Sequence, residues 1–216
     1  IEKGFNDPMV FLNYGTLLKK QGKLKEAEKL QRRAIKLKPD FAEAHNNLGN
    51  TLRDLGKLNE SEISIRKALE LKPDYAEAFN NLGIIQKKLG KLNESEISIR
   101  QAINLKPGFA DAHNNLGNTL RDLGRLNESE ISIRQAINLK PNFAGAHNNL
   151  ANTFRNIGKI KEAEIFIQKA IKLNPYLAIF HNNLGNILLD QGRLKESEIS
   201  MRKAIEIEPN FAEGYL

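Results

Sequence analysis

Apolar positions in this chain recur at helical spacing. Across residues 42–75 one set comprises Ala44, His45, Leu48, Leu52 and Leu55, and a second comprises Leu58, Ile65, Ala68, Leu69 and Leu71. Steps of three, four and seven place each set on one face of a helix. Gly56 stands between the sets as a helix terminator. Pro73 prevents the second helix from continuing. Asp40-Phe41-Ala42-Glu43 reads as a capping box for the first helix, and Asn59-Glu60-Ser61-Glu62 as the cap of the second. The predicted unit is a helix–turn–helix.

That unit repeats. Pro39, Pro73, Pro107, Pro141, Pro175 and Pro209 are each 34 residues apart. Numbering slots from Ala42, slot 8 is Gly15, Gly49, Gly83, Gly117 and Gly185, with Ala151 in the fifth copy. Slot 15 is Gly22, Gly56, Gly90, Gly124, Gly158 and Gly192. The expected repeats are 8–41, 42–75, 76–109, 110–143, 144–177 and 178–211, with 212–216 as the truncated start of another. Together they form one domain over 1–216. A lone helix pair cannot bury its apolar faces, so the copies must stack into an all-α solenoid.

Leu-Gly at slots 7–8, a small residue at 20, Ala at 27 and Pro at 32 appear in the second copy as Leu48-Gly49, Ser61, Ala68 and Pro73. This pattern resembles the tetratricopeptide repeat (TPR) family. The family's slot-4 aromatic survives only as Phe11 and Phe79, and its slot-24 aromatic is Ile65 or an equivalent. The resemblance implies a right-handed superhelix whose first helices line a concave groove.

The formal charge is +7, from 33 basic and 26 acidic residues. This balance favours an acidic partner through long-range steering, although the charges are interspersed as on a solvated surface. No apolar run reaches membrane-spanning length. Cysteine is absent, which excludes disulfides and thiol chemistry and fits a reducing, cytoplasmic setting. The chain begins at Ile1 and stops inside a repeat, as a piece of something larger would. Apolar Ile199 and Ile205 near that stop, with the short stub Ala212–Leu216 beyond them, raise the expectation of end-to-end self-association.

Candidate chemistry is sparse. His45, His113, His147 and His181 all occupy slot 4. Packed helices stand about 8–10 Å apart and zinc needs its nitrogens at about 2 Å, so the histidines read as packing residues and no metal or other cofactor is expected. Asn-Glu-Ser at Asn59, Asn93 and Asn127 matches a glycosylation acceptor, but the better reading is a helix cap. Serines lack a recurring His and carboxylate partner, acidic residues gather at helix starts, and no glycine-rich phosphate loop occurs. No active site is predicted, and the protein reads as a non-enzyme.

The paired asparagines at slots 5 and 6 remain, because two adjacent Asn are poor helix formers. On a helical wheel, slots 4, 7, 8 and 11 cluster on one side and slots 2, 5, 6, 9, 12 and 13 on the other. The groove residues expected from this are Asn13, Asn47, Asn81, Asn115, Asn149 and Asn183 at slot 6 and Asn50, Asn118, Asn152 and Asn186 at slot 9. Slot 12 adds Lys19, Arg53, Lys87, Arg121 and Arg155. Each Asn side chain can bridge a peptide's N–H and C=O whatever its side chains. The slot-6 row is similar to the asparagine ladder in the TPR arm of O-linked N-acetylglucosamine transferase. The expected function is protein–protein interaction, with an extended peptide or protein segment bound in the groove. The rivals are a substrate-recruiting arm of a larger enzyme, such as a glycosyltransferase, and a single-stranded RNA binder of the pentatricopeptide kind. The fixed 34-residue period argues against the latter.

Overall fold

A computed structural model describes residues 6–209; the stub at 212–216 lies outside them. The described chain divides into two compact units that meet in sequence at Pro107 and Gly108. The first unit holds three helix pairs: α1 (Pro8–Lys20) with α2 (Leu24–Leu37), α3 (Ala42–Asp54) with α4 (Leu58–Leu71), and α5 (Ala76–Lys88) with α6 (Leu92–Leu105). The second holds α7 (Ala110–Asp122) with α8 (Leu126–Leu139), α9 (Ala144–Ile157) with α10 (Ile160–Leu173), and α11 (Ala178–Asp190) with α12 (Leu194–Ile207). The described residues contain no strand. The chain is all-α, six tandem helix–turn–helix repeats. In each unit a helix packs most closely on its own pair partner, and the second helix of a pair then packs on the first helix of the next.

One residue closes each turn. Gly56 has φ +77°, a conformation that carries a steric cost for any residue with a Cβ. It lets the Lys57 amide donate to the Leu52 carbonyl at 2.9 Å, a Schellman closure. The Lys57 carbonyl in turn accepts from Ser61 N at 3.0 Å. Lys57 therefore ends one helix and caps the next, and the expected Asn59 cap is corrected: α4 starts at Leu58 with Lys57 as N-cap and no side-chain cap bond. The capping box at Asp40–Glu43 is likewise corrected. Phe41 occupies the N-cap of α3 without a side-chain bond, because its ring is needed in the core, where it is 5% exposed.

Within a pair, slot 8 sets the distance between helices. A Cβ on Gly83 would lie 2.3 Å from Ile99 Cγ1. Slot 20 explains its own serine: Ser61 Oγ donates to the Gly49 carbonyl at 2.6 Å, and Ser197 Oγ to the Gly185 carbonyl at 2.7 Å. A hydroxyl fits where the family places alanine because this close approach supplies an acceptor.

Two apolar positions depart from simple core packing. Ile199 is 67% exposed, but Ile63, Ile97, Ile131 and Ile165 at the same slot are 63–70% exposed. Its exposure therefore belongs to the repeat and not to an uncovered end. Ile205, at 49% exposure, does differ from its half-buried counterparts Leu69, Ile137 and Ile171.

Candidate functional site

The adjacent asparagines have separate roles. Slot 5 is interior in the second to fifth repeats, where Asn46, Asn80, Asn114 and Asn148 are 5–7% exposed, and half-buried as Asn182 in the sixth. Slot 6 is half-buried in Asn47, Asn81, Asn115, Asn149 and Asn183. The helical wheel had placed both slots in the groove, and for slot 5 that is corrected. A first helix is flanked by neighbours on two sides, so residues opposite its pair partner can still be enclosed by the next repeat.

The two slots bond to each other across repeats. Asn81 Nδ2 donates to Asn46 Oδ1 at 3.0 Å, Asn149 to Asn114 at 2.9 Å and Asn183 to Asn148 at 2.8 Å. Partners in each case are 35 residues apart, one repeat plus one residue. The first copy has Leu12 at slot 5, and Asn47 instead reaches the Thr16 hydroxyl at 3.3 Å. Asn47 and Asn149 also accept through Oδ1 from the adjacent Asn46 and Asn148, at 3.5 and 3.4 Å. An Asn side chain has two N–H donors and one acceptor oxygen, so Asn81, Asn149 and Asn183 keep capacity for a ligand.

The other expected residues are mixed. Asn13 is exposed, while Asn50, Asn118, Asn152 and Asn186 are half-buried. Asn50 Oδ1 accepts from Arg53 Nη1 at 3.3 Å. In the fourth repeat the corresponding Asn118 Oδ1 and Arg121 Nη1 are buried without partners. Lys87, like the slot-12 arginines, is half-buried. The cations at slot 12 are not bare. Lys19 pairs with Asp54 at 3.0 Å, Arg53 with Asp54 at 2.9 Å, Arg121 with Asp122 at 3.5 Å, and Arg155 with Asp190 at 2.5 Å. For the Asp54 carboxyl, burial works upward, but hydrogen bonds from Lys19 and Arg53 outweigh it and hold the group below its ordinary range. The Arg155 hydrogen bond lowers Asp190 in the same way. These slot-13 aspartates were not among the expected residues, although Lys19–Asp54 and Arg155–Asp190 show the same 35-residue offset as the asparagines.

The histidines carry structure. Nε2 of His45, His147 and His181 lies 2.9 Å from the carbonyl of Pro39, Pro141 and Pro175 respectively. A carbonyl only accepts, so Nε2 bears the hydrogen. In these three repeats slot 4 therefore ties the repeat to the proline turn before it. Burial pushes the His147 imidazole below its ordinary value of 6.5. Among the described residues no cluster of His, Asp or Glu is arranged to hold a metal ion, and no helix is long and apolar enough to cross a membrane.

Family models described as TPR repeat match residues 15–56 and 49–90, and models described as tetratricopeptide repeat match 76–109, 110–143, 144–176 and 178–211. The chain belongs to the tetratricopeptide repeat family. No curated protein matches it in sequence. Among solved structures it is similar to the APC/C hetero-tetramer Cut9-Hcn1, at TM-score 0.87 and 16% identity, over 95% of this chain and 41% of that one. It thus spans well under half of that relative's length. It is also similar to pilF of Pseudomonas aeruginosa, at TM-score 0.79 and 15% identity, covering 95% and 94% of the two chains. YrrB, described as a TPR protein with an unusual peptide-binding site, aligns at TM-score 0.59 and 21% identity over 84% and 94%. At such identities the likeness concerns the fold alone. TPR arrays generally mediate protein–protein interaction and are typically non-catalytic scaffolds.

Proposed function

We propose that this TPR array binds an extended segment of a partner protein along the first helices of a unit, with the slot-6 asparagines as the repeating contact. The observation that carries this reading is the held amide. The neighbouring repeat fixes the rotamer of Asn81, Asn149 and Asn183 through one hydrogen bond, so a bound backbone meets donors and acceptors already in place, which lowers the ordering cost of binding. Rungs spaced by the packing of helices, about 10 Å, would meet an extended chain roughly every third residue at about 3.3 Å per residue. Such contacts tolerate varied peptide sequences. The slot-12 cations add a local bias toward acidic side chains, tempered by their aspartate partners. Those same ion pairs weigh against nucleic acid, which needs unpaired cations to neutralise phosphates. YrrB provides a TPR precedent for a peptide-binding site.

The test is a titration of the isotope-labelled protein with extended peptides of roughly a dozen residues, about 40 Å long. The side-chain amide resonances of Asn81, Asn149 and Asn183 should shift on binding. Those of Asn104 and Asn138, exposed on second helices, should not. A peptide that binds while leaving the slot-6 amides unmoved overturns the reading.

A further inference from the structure

A second site lies on the face formed by the second helices. In the first unit, α2, α3 and α4 surround a cavity of about 520 Å³. It is an open pocket lined by the apolar Ile35, Leu48 and Leu52 and the His45 ring, with the exposed Arg32 and Glu60 beside them. Leu48 and Leu52 are 4% and 1% exposed. Ser64, at slot 23, lines the cavity and spends its hydroxyl on the His45 carbonyl at 2.9 Å.

The second unit repeats this arrangement with aromatic residues at two of its slots. Arg134, His147 and Leu150 stand at the slots of Arg32, His45 and Leu48, but slot 23 is Phe166 instead of serine and slot 11 is Phe154 where the second repeat has Leu52, the two rings lying 5.4 Å apart. The Phe166 ring stacks on His147 with centroids 6.0 Å apart and planes at 21°. The Arg134 guanidinium lies 5.9 Å from its centroid and 5.4 Å from that of Phe154, within cation–π range of both. Beneath the Phe166 ring His147 is 0% exposed. The same slots that enclose a cavity around Ser64 therefore enclose a phenyl ring around Phe166.

We propose that the cavity of the second repeat is a binding site for the phenyl ring of a phenylalanine side chain presented by a partner polypeptide. The chain itself displays the occupied form of the site. Size permits it, since an apolar cavity of roughly 150 Å³ takes a benzene ring. The chemistry matches as well: an apolar floor, an imidazole to stack on, and an arginine at the edge. Arg32 is held beside the pocket by ion pairs of 2.9 Å to both Glu28 and Glu60. A partner's side chain is favoured over a free aromatic molecule because the charged lining residues are exposed while Leu48 and Leu52 are buried. Lys67 and Glu70, paired at 2.8 Å, add charges of both signs there, suited to the backbone and flanking residues around an inserted ring. The site is separate from the asparagine row and does not depend on it.

The experiment uses N-acetyl-phenylalanine amide as probe, followed by methyl resonances of the whole chain. Millimolar probe should shift the methyls of Ile35, Leu48 and Leu52 and give ring-to-methyl Overhauser contacts, whereas N-acetyl-alanine amide should not. Ser64→Phe should abolish probe binding by filling the cavity as Phe166 does. Conversely, Phe166→Ser should open a second ring site beside His147 and Leu150. A peptide with a central phenylalanine should bind at least tenfold more tightly than the amide, and its Phe→Ala version should lose at least tenfold. Unmoved methyls in the unaltered protein overturn the site, a result that needs no variant to fold. Probe binding without any gain from the peptide overturns the assignment to a partner's side chain in favour of a free aromatic ligand.

Discussion

Replacing the slot-6 asparagines one at a time separates their structural work from their binding work. Asn81→Ala removes a 3.0 Å hydrogen bond to Asn46 Oδ1 and leaves that acceptor on a side chain only 5% exposed. An uncharged hydrogen bond contributes about 0.5–1.5 kcal/mol, and an orphaned buried group costs about 1–3 kcal/mol. The gain in helix propensity from Asn to Ala is at most about 0.7 kcal/mol. The balance is a destabilisation of about 1–2 kcal/mol, or roughly 2–8 °C in Tm for a chain of this size. Asn149→Ala and Asn183→Ala should behave alike, since their bonds are 2.9 and 2.8 Å. Asn47→Ala is the internal control. Its partners are the Thr16 hydroxyl at 3.3 Å, which has its own bond to the Leu12 carbonyl at 2.9 Å, and Asn46 Nδ2 at 3.5 Å, which also reaches the Tyr75 hydroxyl, so the change should be near neutral. Urea unfolding read by circular dichroism measures each variant, and a double-mutant cycle with Asn46→Ala isolates the pair. If Asn81→Ala is as stable as Asn47→Ala, or more so, the cross-repeat bond does not hold the stack and the argument fails.

Three further outcomes are expected. Gln31 is fully buried with neither amide atom bonded, while slot 24 is Ile65, Ile99, Ile133 and Ile167 in the next four repeats; Gln31→Ile should stabilise the protein by about 1–3 kcal/mol and slow amide exchange in α1 and α2, and a drop in the urea midpoint would refute it. Acid should weaken the fold in two steps, checked by the urea midpoint against pH. His147 has its folded value pushed below 6.5 by burial, so its contribution is complete above pH 6.5 and declines as pH falls below it. Burial alone would raise the Glu62 carboxyl, but Lys91 and Arg66 hold it under its ordinary 4.5, so its contribution is present above pH 4.5 and declines as pH falls further; His147→Leu should erase the first step and leave the second. Finally, we expect the exposed Ile205 to support concentration-dependent self-association that Ile205→Glu suppresses; sedimentation showing a monomer from micromolar to near-millimolar protein would exclude it.

What the sequence disclosed and what it hid follow from how far each interaction reaches along the chain. Helix spans were readable because a positive-φ glycine and a proline punctuate every copy, and such backbone constraints act within a few residues. The caps were misread for a local reason of a different kind. Lys57 serves the end of α3 and the start of α4 at once, and capping rules built for separate helices do not anticipate a shared residue. The asparagine row was found by elimination, since helix formation did not require it, yet its geometry was hidden. A helical wheel describes one helix against one partner, whereas a solenoid helix has a predecessor and a successor. The missing signal was an offset of 35 within a period of 34, which pairs slot 6 with the preceding slot 5, and slot 12 with the following slot 13 in Lys19–Asp54 and Arg155–Asp190. Near-identical copies also conceal information, because a residue repeated by duplication looks the same whether or not it is needed. Differences between copies are therefore the sharper guide. Leu12 in place of a slot-5 asparagine diverts Asn47 to Thr16, and Phe166 in place of a slot-23 serine shows what fits beside His45.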